Sequence, residues 1–333
     1  MTNLFVKDSF SAMSDYIQQV VSSVLDGAQI DRQTAVRLAY EPDQQVLWNG
    51  ADRIRQNFHG SRFSLCSIIN ARSGRCSENC LFCAQSARHQ SGIDEYDTIG
   101  MEKALEMAVD SAQHGVHRLS LVTSGRSADH DLLDRLAAIY SKIARTTLLQ
   151  LCGSMGLLTQ EKAERLKDMG VVRYHCNLEV SRNFFPQVCT THTWHDKVAT
   201  LKLAKEAGMS LCSGGIIGMG ESVEDRIDLA LELRELEVDS IPLNILTPIP
   251  GTPLADMDIL AIEEVMTTIA LFRLINPKVT IRIAGGRRQL GEDQYRCFMA
   301  GANGAMVGNY LTTSGTAVAD DLRAFKAMGF TFA

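Results

Sequence analysis

A chain of 333 residues with 45% hydrophobic side chains is long enough for one α/β barrel or two ordinary domains, and apolar enough to fill either core. A formal net charge of −6 argues against a nucleic-acid-binding surface, and no apolar run reaches the roughly 18 residues of a membrane span. Nine cysteines, behind an N-terminus (MTNLFVKDSFSAMSDYIQQVV) that lacks a charged-then-apolar leader, are read as metal ligands and core thiols in a reducing cytoplasm rather than as disulfides.

The chain opens on helical patterns. Ala12 to Leu25 is amphipathic, Asp31 to Leu38 begins on a capping residue, and a further helix fits Trp48 to Asn57. Residues 1–60 are therefore expected to form a helical extension with no chemistry, residues 61–313 a catalytic body, and residues 314–333 a C-terminal helix or tail.

From Phe63 the pattern changes to repeated strand-then-helix units. Buried strand candidates are residues 63–70, 117–123, 148–153, 171–179, 209–217, 240–247, 279–285 and 304–308. Several intervening helices stop at Gly115, Gly170 and Gly208, each followed by an apolar residue that opens the next strand; glycine suits the left-handed position that ends a helix. Ser222-Val223-Glu224-Asp225 reads as a capping box. Eight βα units predict a (β/α)8 TIM-type barrel with its chemistry at the C-terminal ends of the strands. An open doubly wound sheet is the alternative, but its G-x-G-x-x-G fingerprint is missing after the first strand.

Directly after that strand comes Cys76-Ser77-Glu78-Asn79-Cys80-Leu81-Phe82-Cys83. Three thiolates at C-x3-C-x2-C spacing can all reach one [4Fe-4S] cluster. A loop offering only three leaves one iron open to chelate the amino and carboxylate groups of a molecule such as S-adenosylmethionine, with Phe82 placed to pack against an adenine. A structural zinc site would normally add a second C-x2-C pair, which the sequence does not contain; a disulfide pair is the other reading.

The C-x3-C-x-aromatic-C spacing resembles the signature of the radical S-adenosylmethionine superfamily. The flanking Ala71-Arg72-Ser73-Gly74 and Ala84-Gln85-Ser86-Ala87-Arg88 narrow the resemblance to the biotin synthase family, and it extends from about residue 30 to Leu311-Thr312-Thr313. Asn177 and Glu179, two apart on a strand and so facing one side, suit the ribose hydroxyls of a nucleoside. The resemblance implies that they contact S-adenosylmethionine, Asn177 touching dethiobiotin as well, although the family usually has Asp at position 179. Gly214-Gly215-Ile216-Ile217-Gly218-Met219-Gly220-Glu221 is similar to the G-x-I-x-G-x-x-E string that borders the adenine, implicating Gly214, Ile216, Gly218 and Glu221, with glycines expected to let backbone approach a ligand. Lys197 stands where the family usually places an Arg for the methionine carboxylate; a solvated helix lysine is an equal reading. Asn244 corresponds to the residue that hydrogen-bonds the ureido ring of dethiobiotin.

The resemblance also implies an auxiliary cluster, [2Fe-2S] in the family, held by cysteines of strands two, three and five and by an arginine. Cys152, Cys212 and Arg282 match, but Ser120 stands where the first cysteine belongs. Cys176 and Cys189 occur where none is expected, so one or both are expected to complete the set, in a cluster of [2Fe-2S] or four-iron type. Arg282 is then a ligand or a nearby charge. Cys66 and Cys297 are expected to be core residues. The implied activity is radical sulfur insertion into dethiobiotin at C9 and C6 by a cytoplasmic homodimer, fed by a reduced flavodoxin- or ferredoxin-type donor. A related hydrogenase-maturation or methylornithine-forming enzyme, or a non-catalytic iron–sulfur carrier, are the alternatives.

Overall fold

The computed structural model describes residues 15–313 and 315–332. Residues 12–14, the expected start of the first helix, lie outside that range; residues 15–25 are helical.

Eight parallel strand positions close into a barrel. Strands β1 (Arg62–Arg72), β2 (Arg118–Thr123), β3 (Gln150–Ser154), β4 (Arg173–His175), β5 (Ser210–Cys212), β7 (Ser240–Ile245), β8 (Thr280–Ile283) and β9 (Gly304–Met306) pair in that order, and β9 pairs back onto β1. β6 (Gly215–Ile217) continues the β5 position after a two-residue break and also pairs β7. The eight positions coincide with the eight strand candidates, because on each strand the residues that face the helices are apolar.

Side chains alternate along each strand. On β1, Phe63, Leu65 and Ile69 point outward into the shell of helices, whereas Cys66 and Ile68 line the interior. The same parity turns Arg118 and Ser120 inward on β2, Cys152 and Ser154 on β3, Arg173 and His175 on β4, and Arg282 on β8. The barrel interior is thus polar and sulfur-rich, with a conventional apolar core between strands and helices.

The helices follow their caps. α1 (Arg32–Ala39) starts at Asp31, whose carboxylate accepts the Thr34 N–H at 2.8 Å. α2 (Gln44–His59) begins before Trp48, because Asp43 caps it at Val46. The outer ring follows as α3 (Met101–Gln113), α4 (His130–Thr146), α5 (Gln160–Asp168), α6 (Trp194–Glu206), α7 (Val223–Glu235) and α8 (Ile262–Ile275). Gly115, Gly170 and Gly208 carry φ of 74°, 86° and 79°, the left-handed conformation expected of helix-ending glycines. The capping box of α7 forms as expected, Ser222 and Asp225 each accepting the other's backbone N–H. Trp48 on α2 packs against α8 and donates to Thr267 Oγ1 at 3.1 Å, fixing the N-terminal helices to the outside of the barrel.

The C-terminal tail packs on the outside of the barrel beside the start of β1. α9 (Val318–Ala327) and β10 (Thr331–Phe332) return to the start of β1, and Phe63 packs against Phe325 and Phe330 at centroid distances of 4.4 and 4.6 Å. This aromatic cluster, with the buried Arg287–Asp321 ion pair beside Phe325, holds the tail against the barrel wall.

Candidate active site

A cavity of about 400 Å³ occupies the barrel mouth and runs down into its interior. Cys76, Cys80, Cys83 and Phe82 line its upper part, reached by the loop that leaves β1. The loop turns at Gly74 and Arg75, with φ of 75° and 53°. It is then pinned by backbone bonds from Cys76 N to Gln85 O at 3.0 Å and Ala87 N to Cys76 O at 2.8 Å. Ser86 donates to Glu78 O, and Leu81 N reaches Val188 O. All three thiols are free and half-buried, so one short loop presents them to one space. Burial pushes the Cys83 thiol up to about 11.

Beside the cysteine loop stand Asn177, Glu179 and Lys197, all lining the cavity. β4 ends at His175, so Asn177 and Glu179 sit on the loop beyond it and not on a strand as expected. They face the same space for a different reason. Glu179 adopts φ of 73°, uncommon for a residue with a Cβ, and this turn brings its carboxylate back to Asn177 Nδ2 at 3.3 Å. Lys197 reaches Glu179 Oε1 at 3.4 Å from the first turns of α6. The solvated-lysine reading fails, because Lys197 is only 9% exposed. Burial alone would lower the Lys197 pKa, but the charges of Glu179, Cys176 and Cys80 outweigh it and the net shift is upward.

The glycine string has a different role from the expected one. A Cβ at Gly214 would collide with the Pro242 carbonyl, and one at Gly215 with the Glu179 carbonyl. These glycines let two backbones cross inside the protein rather than approach a ligand. Gly218 takes φ of 98° at a tight turn. Glu221 accepts the N–H groups of Gly218 and Met219 at 2.8 and 2.7 Å and is held by Arg226 Nε at 2.6 Å. Its carboxylate is thereby consumed in shaping the loop. Of the expected residues in this string, Ile216 is the one that lines the cavity.

Asn244 lines the cavity from β7, yet its amide already bridges two segments: Nδ2 donates to Gly215 O at 3.1 Å and Oδ1 accepts from Gly285 N at 2.9 Å. One N–H and one lone pair remain for a ligand.

Deeper in the barrel lie Cys152, Cys212 and Arg282, with Cys66, Arg118, Arg173 and Ser120 around them. Cys152 is pushed up to about 12 by burial, and its thiol also feels Cys66, Arg118, Arg173 and Cys212. Arg282 donates to Ser240 Oγ at 3.2 Å and Ser64 Oγ at 2.8 Å. Three expectations are corrected here. Cys189 is not near Cys152: its Sγ is 3.7 Å from Cys80 Sγ and 3.3 Å from His192 Nδ1, because the loop after β4 folds over the cysteine loop. Cys176 is not on strand four but one residue past β4; it borders the cavity and also packs in the apolar core. Cys66 is no core residue, since its strand parity places it inside the barrel; Cys297 does belong to the core.

Sequence reasoning missed His192 and Glu78, which meet at 2.5 Å between the two loops. It also missed Arg118 and Arg173. Arginines inside apolar strands were the available signal, since a charge there must face a lined interior or a partner.

Comparison with known proteins agrees with this geometry. Residues 71–233 match the radical SAM superfamily, and residues 242–331 match the Biotin and Thiamin Synthesis associated domain. The chain is 50% identical over 317 residues to a biotin synthase of Desulfotalea psychrophila, covering 94% of each chain. It is 47% identical over 320 residues to that of Heliobacterium modesticaldum, covering 95% of this chain and 98% of the other. Among solved structures, methylornithine synthase superposes with a TM-score of 0.79 at 18% identity, covering 94% of this chain and 97% of the other. The FeFe-hydrogenase maturase HydG of Carboxydothermus hydrogenoformans superposes at 0.80 and 16% identity, covering 99% and 83%. At such identities these two structures share the fold alone.

Proposed function

The chain belongs to the biotin synthase family, and from that premise we propose how its barrel divides the work between an upper and a lower compartment. The enzyme is a radical SAM sulfurtransferase that converts dethiobiotin to biotin. When bound, the [4Fe-4S] cluster supplies the electron that cleaves S-adenosylmethionine, and the auxiliary cluster supplies the sulfur.

In the upper compartment, Cys76, Cys80 and Cys83 are the three thiolates for the [4Fe-4S] cluster. What supports this is their convergence from one eight-residue loop onto one cavity wall. Phe82 and Ile216 offer apolar surface to the adenine, Asn177 and Glu179 hold the ribose hydroxyls, and Lys197 meets the methionine carboxylate as a point charge without a bidentate fork. Lys197 must share itself between that carboxylate and Glu179. Asn244, with its one free N–H and one free lone pair, meets the ureido ring. Cys152 and Cys212 bind the auxiliary cluster below, with Arg282 as an offsetting charge, since both of its Nη groups are occupied by serines. The walls between the compartments (Ile68, Val122, Ile245, Leu246) are apolar and keep water from the reacting carbon atoms. A flavodoxin- or ferredoxin-type donor, a homodimer and a cytoplasmic setting complete the proposal and rest on the family resemblance.

The single observation that carries this reading is that the cysteine loop, the Lys197–Glu179 pair and Cys152 with Cys212 all open into one continuous cavity. The full chain, reconstituted anaerobically with iron and sulfide and reduced, is expected to form biotin from dethiobiotin with one 5′-deoxyadenosine for each C–S bond. Cleavage of S-adenosylmethionine with no turnover of dethiobiotin would transfer the chain to a related radical enzyme. No cleavage at all would leave an iron–sulfur carrier.

A further inference from the structure

The lower compartment holds more positive charge than its surroundings balance. Arg118, Arg173 and Arg282 all line it, and among the described residues none of the three meets a carboxylate. Two of their nitrogens, Arg118 Nη1 and Arg282 Nε, are buried with no hydrogen-bond partner. Buried guanidinium groups and orphaned donors are costly unless an anion meets them. The anion must come from the thiols and what they bind, so the site fits a sulfur-rich, negatively charged cluster. Two cysteines, Cys152 and Cys212, are in place. Ser120 Oγ instead turns to the carbonyl of Leu121 at 3.5 Å, and a serine hydroxyl stays protonated at neutral pH, unlike the thiolate that iron requires.

The missing thiolate stands on the next strand. In the β1–β2 register, Ile68 is opposite Ser120 and Cys66 is opposite Arg118. Cys66 is therefore the diagonal neighbour of Ser120, one inward-facing position along the barrel. Ser120 is itself opposite Cys152, and Cys152 is opposite Arg173. Two places further around, His175 is opposite Cys212. Cys66, Cys152, Cys212 and the guanidinium groups of Arg118, Arg173 and Arg282 all line one cavity. Cys189 is removed from it by its position against Cys80, and Cys176, one residue past β4, falls out of step with the inward-facing Arg173 and His175.

We propose that Cys66 is the third thiolate ligand of the auxiliary cluster, so that the ligand absent at position 120 is supplied by the adjacent strand β1. The ligand set Cys66, Cys152 and Cys212 then spans β1, β3 and β5, and Arg118, Arg173 and Arg282 neutralise it from between those strands. Cys176 and Cys189 take no part. This inference rests on the assignment of Cys152 and Cys212 to an auxiliary cluster, and the test separates the two.

The test uses the full chain, reconstituted anaerobically with iron and sulfide, and reads iron and sulfide per chain together with Mössbauer spectra. The EPR signal of the reduced [4Fe-4S] cluster serves as an internal control. Cys66→Ala is expected to lose the auxiliary iron as completely as Cys152→Ala and Cys212→Ala, with the EPR signal kept. Ser120→Ala and the Cys176/Cys189 double Ala variant are expected to retain it. Cys66→Ser, nearly isosteric, guards against a packing defect, and adding Ser120→Cys to it is expected to restore auxiliary iron by moving the thiolate one strand over. Full auxiliary iron in both Cys66 variants, with loss in Cys152→Ala, overturns the inference and leaves the auxiliary site standing. Retention in Cys152→Ala and Cys212→Ala as well overturns the site itself.

Discussion

The Sγ atoms of Cys80 and Cys189 stand 3.7 Å apart although 109 residues separate them. Asn79 makes the contact possible: its side-chain oxygen accepts the N–H groups of Thr190 and Thr191, and its Nδ2 donates to Thr190 Oγ1 at 2.7 Å, clamping the loop after β4 onto the cysteine loop. With the cluster removed, glutathione disulfide should join the two cysteines. One thiolate attacks a glutathione sulfur, the second displaces the bound glutathione, and two reduced glutathiones leave. Peptide mapping should find the Cys80–Cys189 link in cluster-free protein, with none in the loaded protein or in Cys189→Ser. A link from Cys80 to Cys76 or Cys83 in its place would contradict the clamped geometry.

Asn244 has two duties, and they are separable. Its amide ties β6 to the turn after β8, and its remaining donor and acceptor face the cavity. Asn244→Ala should lower stability by about 1–3 kcal/mol through the unpaired Gly215 carbonyl and Gly285 N–H. It should also weaken dethiobiotin binding by a similar amount. Denaturant midpoints and dethiobiotin titrations measured side by side check this; a variant with normal stability and lost binding would show that the bridge carries no weight.

Glu221 and Arg226 form a buried ion pair at 2.6 Å, with side chains 2% and 4% exposed. Arg226→Leu leaves an uncompensated carboxylate and is expected to cost about 3–5 kcal/mol. The loop that Glu221 shapes carries Ile216 at the cavity wall, so surviving protein should bind S-adenosylmethionine more weakly while its three loop cysteines still load iron. Unfolding curves and S-adenosylmethionine titrations are the measurements, and unchanged affinity would detach the loop from the cofactor.

Glu232 gives a pH signature. Burial first, then the negative charges of Asp228 and Glu235, raise its carboxyl from 4.5 to about 7 against the pull of the Arg182 N–H. The folded chain therefore holds this proton more tightly than the unfolded one. The associated stability is fully present below about 4.5 and is lost as pH rises through about 7. Glu232→Gln, which keeps an acceptor for Arg182, should melt with the parent at pH 4.5 and several degrees above it at pH 8. Parallel melting temperatures across that range would refute the shift.

Much was legible in the sequence because it is local. The cysteine loop is one short string, and the helix stops at Gly115, Gly170 and Gly208 follow from a conformation that favours glycine. The eight strands announce themselves because the residues that each turns toward the helices are apolar and recur between helical stretches. Asn177 and Glu179 were identified correctly as cavity residues, but through a strand that ends before them; the turn at Glu179 does the work. Gly214 and Gly215 look like ligand-approach residues in one dimension and prove to be crossing points for the backbones of Pro242 and Glu179.

What the sequence determined by itself was the repeat, the closure of the barrel it demands, and the three thiolates of residues 76–83, since each depends on neighbours within a few positions. Only the tertiary structure decided which distant cysteines share a space. Cys189 and Cys66 are both single cysteines with no second cysteine within a few positions, and no local motif says where either points. Loop folding carries the first to Cys80. Strand parity and the β1–β2 register turn the second inward beside Cys152 and Cys212, because ring closure of the sheet brings together residues far apart along the chain.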